Sequence, residues 1–371
     1  MKAEISKQEL LRIVKMASHI ADQNSIQPIL SCIKAEIRED KNIIVYSTDL
    51  ETSMISMASC EFVKEPGNFV VDAKNLLEII NALPNDVVEL EIQEEHEGVL
   101  YLRCRDSKYE LFLMRSEDFP MIKAPEAEEY VEFSKKDFIR SVNSVAFAAS
   151  KEQAARNING IYMESESNIL RMVATDTSRL ALKELTLENP IRPMGSLISL
   201  KTVKDGLKIL DFEKDKKLYF AYEGNFVVFK SGNTILFSRI VDAEFPAYRK
   251  VIPERFTTQT RLFTKEFLSA VSRLNIVAQK SDYKLTIIIT DNNVMSLKTS
   301  SPKMGEGEEK VKCHMDGEEV DLDMNGKLVE ETLKYIDSEE VEINFTGPAS
   351  FVVIKPFGRN DYLNILMPLR R

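Results

Sequence analysis

Ser6-Lys7-Gln8-Glu9-Leu10-Leu11, Ser134-Lys135-Lys136-Asp137-Phe138-Ile139 and Thr264-Lys265-Glu266-Phe267-Leu268 are one pattern written three times, at a spacing of about 128 residues. In each, a hydroxyl residue stands where a helix cap is expected and a helical apolar pattern follows. Asn42-Ile43-Ile44-Val45-Tyr46-Ser47-Thr48-Asp49 returns as Asn168-Ile169-Leu170-Arg171-Met172-Val173-Ala174-Thr175-Asp176, and more weakly as Asn293-Val294-Met295-Ser296-Leu297-Lys298-Thr299. A helix-then-strand unit also recurs: 76–80 before 88–92, 203–210 before 218–220, and 328–336 before 341–345. Each third then closes alike, at Phe119-Pro120, Phe245-Pro246 and Met367-Pro368. Four landmarks in one order, three times over, mark a triplicated domain.

The repeat divides 371 residues into modules at 1–125, 128–251 and 253–371. Each is long enough for a core of its own, and the period is too long for a solenoid of small repeats. Pro125 to Glu129 and Val251 to Thr260 read as linkers, and the polar run 303–310 as a flexible loop. The segment after Met1 is polar and no apolar run reaches the roughly 18 residues of a membrane span. A soluble, cytoplasmic protein is expected, and Cys32, Cys60, Cys104 and Cys313, scattered without metal-ligand spacing, read as buried reduced thiols.

A net charge of −10 argues globally against a nucleic-acid partner, but exposed charges separated by more than about 8 Å are largely screened from each other, so their placement decides. The first helix, about Ser6 to Ala21, is amphipathic and carries Lys7, Arg12 and Lys15. Counterparts carry Lys135, Lys136 and Arg140, then Lys265, Arg273 and Lys280. The second helices carry Lys74, then Lys201, Lys204 and Lys208, then Lys327 and Lys334. Acids collect on strands and loops instead, at Glu36, Glu39, Asp40, Glu61, Glu89, Glu91, Glu94, Glu95 and Glu97. Basic helices and acidic sheets are also what two ordinary solvated faces would give.

Phosphate-loop, zinc-helix and nucleophile-elbow signatures are missing, and His19, His96 and His314 occupy unrelated places in their repeats. Thr48-Asp49 and Thr175-Asp176 each follow an apolar strand, where Thr and Asp turn the chain by bonding its backbone; half of a carboxylate metal site is the other reading. Only the second repeat continues with Arg179-Leu180. Residues 244–253 mix aromatic, proline, basic and aliphatic side chains as a peptide groove would, or as a linker packed on its own domain would. The tail Ile365 to Arg371 is too apolar to hang free and is expected to dock.

These residues together resemble the bacterial DNA polymerase III beta subunit family over the whole length. The resemblance rests on the repeat, Gln27-Pro28-Ile29-Leu30, Ala174-Thr175-Asp176 with Arg179-Leu180, Phe245-Pro246 with Tyr248-Arg249 and Val251-Ile252-Pro253, and Met367-Pro368-Leu369-Arg370. It implies an α+β DNA clamp fold of three repeated domains, helices inside and antiparallel sheets outside, in a ring-shaped head-to-tail homodimer around duplex DNA. It implies no catalysis and no cofactor or metal.

A groove between the second and third domains would take the clamp-binding motifs of the replicative polymerase, other polymerases, the clamp loader and repair proteins. Its matching positions are Ile158, Thr175, Arg179, Leu180, Pro246, Lys250, Val251, Ile365, Met367, Pro368, Leu369 and Arg370. DNA-facing positions are Asn24, Lys74, Arg156, Asn157 and Lys201, and the dimer contact would set Tyr109 and Leu111 against Ile276 and Val277. The chain departs from the family pattern at Thr177-Ser178, where Gly-His is frequent, and at Lys250, where a second arginine is common. It departs again at Arg156-Asn157, an aromatic pair in some members, and at Arg371, where many members end in an aliphatic residue. A metal-dependent enzyme using Asp49 or Asp176, and a monomeric protein-binding scaffold, are the competing classes.

Overall fold

A computed structural model of the chain describes residues 1–96, 98–290, 293–347 and 350–370, so Glu97 and Arg371, both named above, lie outside the described residues. The first repeat runs β1 (Lys2–Ser6), α1 (Lys7–Ser18), β2 (Cys32–Ile37), β3 (Asn42–Thr48), β4 (Thr52–Ser59), β5 (Phe62–Glu65), β6 (Gly67–Asp72), α2 (Ala73–Ala82), β7 (Val87–Glu91), β8 (Val99–Cys104) and β9 (Ser107–Phe112). The second runs β10 (Val131–Ser134), α3 (Lys135–Ala146), β11 (Gly160–Glu166), β12 (Ile169–Thr175), β13 (Arg179–Thr186), β14 (Met194–Ser199), α4 (Leu200–Asp211), β15 (Lys217–Glu223), β16 (Phe226–Ser231) and β17 (Thr234–Arg239). The third runs β18 (Thr258–Phe263), α5 (Thr264–Ala278), β19 (Lys284–Thr290), β20 (Val294–Ser301), β21 (Gly305–Lys312), β22 (His314–Gly317), β23 (Val320–Asn325), α6 (Gly326–Leu333), β24 (Glu340–Phe345), β25 (Val352–Pro356) and β26 (Tyr362–Leu366). The order is the same in each, except that β5 and β22 have no counterpart in the second repeat.

Contacts gather the chain into two compact units, residues 1–139 with 201–240, and residues 140–200 with 241–371. The first unit holds a five-stranded sheet ordered β5-β1-β7-β8-β9 and an eight-stranded sheet ordered β10-β15-β16-β17-β4-β3-β2-β6. The second holds a nine-stranded sheet, β14-β11-β12-β13-β26-β25-β24-β18-β22, and a four-stranded one, β21-β20-β19-β23. Among the described residues every strand pair in these sheets is antiparallel.

In the first unit β17 of the second repeat pairs with β4 of the first, Thr234 opposite Ser56 through Ser238 opposite Thr52. In the second unit β26 of the third repeat pairs with β13 of the second, Arg179 opposite Leu366 through Lys183 opposite Tyr362. One rule covers both: the strand closing the β3–β4 type of hairpin takes the last strand of the next repeat. By that rule β21 and β9 are left over, and each is the edge of its sheet.

Ser6 caps α1 by accepting from the Glu9 N–H, and Ser134 caps α3 by accepting from the Asp137 N–H, as the repeated pattern predicts. The third copy differs. Helix α5 starts one residue early, so Thr264 is already helical and Phe263 stands at the cap without a side-chain bond. The fourth residue of each first helix, Leu10, Phe138 and Phe267, is fully buried and anchors the helix on its sheet. Phe138 does so inside a ring cluster with Phe133, Phe220 and Phe229, while Phe267 joins a core running from Leu262 to Leu366.

Two expected irregular segments are strands. Most of the run 303–310 lies in β21, paired from Gly305 opposite Ser301 to Lys312 opposite Val294. Its glycines and glutamates are poor strand formers, but the ladder with β20 overrides that preference, with Glu306 and Glu308 exposed on the edge strand and Glu309 held by Arg273 of α5. The expected linker 251–260 is regular from Thr258 onward, as the start of β18. All four cysteines are unpaired and buried, and burial pushes the Cys60 thiol up to about 11.

Charges expected on an open basic face are partly spent internally. Lys7 donates to the carbonyls of Asn81 and Leu83 at the end of α2, and Lys135 donates to those of Leu210 in the last turn of α4 and of Glu213 just beyond it. Terminal helix carbonyls lack intrahelical partners, and an ammonium satisfies them. Arg12 meets Glu213 at 2.6 Å, the Met57 carbonyl at 3.1 Å and Glu9 at 3.0 Å, and Glu213 also accepts from Thr234 at 2.5 Å. The guanidinium and carboxylate are 14% and 8% exposed, so each needs the other. Arg12→Ala should therefore lower unfolding stability by about 3 kcal/mol, and Arg12→Met with Glu213→Leu should recover most of it, as read by urea denaturation.

Candidate functional site

The turn at the end of β12 is built by its side chains. Asp176 Oδ1 accepts from the N–H groups of Ser178 and Arg179, both at 3.0 Å, and Thr175 Oγ1 accepts from the Thr177 N–H at 3.2 Å while donating to the Arg179 carbonyl at 2.6 Å. The Thr48-Asp49 turn repeats every one of these bonds with Glu51, Thr52 and Leu50. Backbone-bonding is thus the observed work of both Thr-Asp pairs. Asp49 also pairs through Oδ2 with Lys201, and its side chain is 4% exposed.

At the fourth turn position the copies diverge, Thr52 in the first repeat and Arg179 in the second. Arg179 is buried, and all three of its nitrogens are engaged: Nε with Asp176 at 3.0 Å, one Nη with Glu331 of α6 at 2.5 Å, the other with the Phe147 carbonyl at 2.7 Å. Its guanidinium carbon lies 5.0 Å from the centre of the Phe147 ring, which stacks on Tyr335 at 4.8 Å. Arg179 therefore braces the turn against α6.

Beside this turn, Leu180 and Ile365 are opposite one another across β13 and β26 and bury with Val173, Leu182, Tyr248 and Val353. Val251 and Ile252 pack on the same cluster from the short 3-10 turn at Tyr248–Val251. The Ser150 N–H bridges the carbonyls of Ile158 and Thr175, at 3.1 and 3.2 Å, so Ile158 is tied to the same place. Pro246 and Lys250 are exposed on the turn. The tail docks as expected: the Met367 N–H bonds the Ser178 carbonyl at 3.0 Å and the Leu369 N–H bonds the Asp323 carbonyl at 2.7 Å. Met367, Leu369 and Arg370 nevertheless leave their side chains open, with Met367 46% exposed, and Pro368 is half-buried between them.

The structure thus brings Ile158, Thr175, Arg179, Leu180, Val251, Ile365 and Met367 into one neighbourhood: a buried aliphatic floor with an exposed methionine and lysine at its margin. Sequence reasoning passed over Glu164. Its carboxylate takes the Tyr248 hydroxyl and the Arg249 guanidinium, the latter at 2.6 Å, and so fixes the 3-10 turn. Burial first, then Glu164, holds the Tyr248 phenol well above its usual range. The alternation of β11 placed Glu164 on the same face as Tyr162, which stacks on Phe245 at 4.9 Å; that was the available signal.

Asn24, Lys74 and Lys201 belong to the first unit and are exposed, and Arg156 and Asn157 are exposed in the second. Burial lowers and the Asp49 carboxylate raises the affinity of Lys201 for its proton, with the raising effect prevailing. Tyr109 and Leu111 stand on the edge strand β9, while Ile276, 58% exposed, and Val277 stand near the end of α5. Among the described residues no three carboxylates, thiols or histidines gather as a metal cage, and no helix is long and apolar enough to cross a membrane.

Three consecutive segments match the DNA polymerase III beta subunit: its N-terminal domain at residues 1–123, its central domain at 132–247 and its C-terminal domain at 249–370. The chain belongs to the DNA polymerase III beta subunit family. The beta sliding clamp of Halalkalibacterium halodurans is 26% identical over 378 residues, covering 99% of this chain and 98% of that protein. The crystal structure of the Thermotoga maritima beta subunit is 31% identical with a TM-score of 0.93, covering 100% and 99%. The Bacillus subtilis sliding clamp, at 23% identity and the same TM-score, covers 100% and 99% and shares the fold. The three-domain DNA clamp fold follows, as does the role of a DNA sliding clamp, the processivity factor partnered with DNA polymerase III.

Thr177, exposed at the apex of the Thr175-Asp176 turn, has φ +75°. A β-branched residue in that region is strained by about 1–3 kcal/mol. Thr177→Gly should raise unfolding stability by about 1 kcal/mol despite the added freedom of the unfolded chain, visible as a higher Tm in calorimetry.

Proposed function

We propose that two copies join head to tail and close a ring around duplex DNA, helices towards the hole and antiparallel sheets outside. The observation that carries this reading is the strand rule. β4 takes β17 and β13 takes β26, so the unsatisfied edges β21 and β9 call for a second copy to supply each other. Exposed apolar groups beside those edges support it, with Phe112 87% exposed on β9 and Ile276 on α5, in line with a contact of Tyr109 and Leu111 against Ile276 and Val277. A heterologous interface of this kind makes a ring when its rotation closes.

In this reading the domains are 1–125, 128–251 and 253–371, and the protein acts in the cytoplasm without catalysis of its own. Asn24, Lys74, Arg156, Asn157 and Lys201 meet phosphates and read no bases, so the ring slides. The aliphatic floor with Pro246, Lys250 and the tail Met367 to Arg370 takes short apolar motifs of the replicative polymerase, other polymerases, the loader and repair proteins. The exposed Met367 is the adaptable anchor.

Purified protein loaded on closed circular DNA should stay bound and should leave once the circle is cut; equal retention on both forms would sink encirclement. Met367→Ala should weaken binding of a polymerase peptide by about tenfold or more while the dimer mass is unchanged. If mass and binding fail together, the groove assignment is wrong.

A further inference from the structure

The two junctions inside the chain share a second device besides the strand pairing. The sixth residue of α1 is Arg12, which holds Glu213 from the corner after α4, the second helix of the next repeat. The sixth residue of α3 is Arg140, which holds Asp337 from the corner after α6, again the second helix of the next repeat. An arginine at one helical position thus reaches forward to a carboxylate of the following repeat in both units.

The sixth residue of α5 is Ser269, exposed and too short to reach anything forward. It lines an open cleft of about 380 Å³ with Lys265, Glu266, Arg273, Glu309 and Lys310. Arg273, one turn further along, is spent within its own repeat on both oxygens of Glu309 in β21, at 2.7 and 2.9 Å. Lys265 stands at the second helical position, which in α1 is Gln8 and takes no part in the Arg12 contacts.

The corner after α2, which corresponds to those bearing Glu213 and Asp337, carries Asp86, four residues beyond Ala82. Asp86 is 39% exposed and has Arg105 of its own repeat at 2.5 Å. In the head-to-tail dimer proposed above, the succession of repeats would set the Asp86 corner of a second copy against the α5 cleft.

We infer that the junction between copies lacks the arginine clasp and is the weakest of the three: the second copy's Asp86 corner seats in the α5 cleft at Ser269, without the forward arginine that fastens both junctions within the chain. This rests on the head-to-tail dimer proposed above. The cleft is otherwise ready for such a clasp, because Glu266 lies three residues before Ser269 as Glu9 lies three before Arg12, where it braces the guanidinium at 3.0 Å.

Ser269→Arg is an exposed change on a helix and leaves the core untouched. The test measures dimer dissociation on the full chain, by exchange of fluorescently labelled copies, with solution mass as the companion measurement. Ser269→Arg should slow dissociation about tenfold, and adding Asp86→Asn should return it to the native rate. A native dimer whose Ser269→Arg variant exchanges at the native rate overturns this inference alone, as does a slow variant indifferent to Asp86→Asn. A native chain that is monomeric at every concentration overturns the ring reading, and this inference with it.

Discussion

An unpaired strand edge is a row of hydrogen-bonding groups that must find partners, and this chain answers that demand by lending the last strand of the second and third repeats to the repeat before. β17 completes the sheet of β4, and β26 completes the sheet of β13. Because the two large sheets are each finished by a neighbouring repeat, the compact units do not coincide with the repeats: strands of the second repeat lie in both. Tandem copies tied in this way depend on succession along the chain for their integrity, and sequence symmetry becomes structural continuity.

The repeat, the first two caps, the helical phase and the Thr-Asp turns could be read from the sequence, because local hydrogen bonding and apolar periodicity set them. The strand β21 could not. Gly305, Gly307 and a run of glutamates have the composition of a loop, and only the ladder to β20 makes them a strand. Likewise Lys7 and Arg12 looked like surface charge, since nothing local says that Asn81, Leu83 and Glu213 will be waiting. Long-range partners were what the one-dimensional pattern lacked.

The candidate groove shows the same division. Leu180, Val251 and Ile365 were legible as apolar residues at landmarks, and they do share one core. The buried state of Arg179 was not legible, because a lone arginine after a turn gives no hint of Glu331, more than a hundred residues on. Nor was Glu164, whose hold on Tyr248 and Arg249 shapes the wall to which Val251 belongs. Resemblance supplied positions here, and packing supplied the reason those positions stand still.

The Thr-Asp turn carries one more implication. Leu50 and Thr177 both sit at its apex with positive φ, +74° and +75°, although neither side chain favours that geometry. Four side-chain and backbone hydrogen bonds fix the loop whatever the apex residue is. Shape and identity are thereby uncoupled at this point: the tip facing solvent is leucine in one repeat and threonine in the next, and the strands it joins keep the same turn. The bill is a modest conformational strain, and the return is a surface whose chemistry is free to specialise on an unchanging frame.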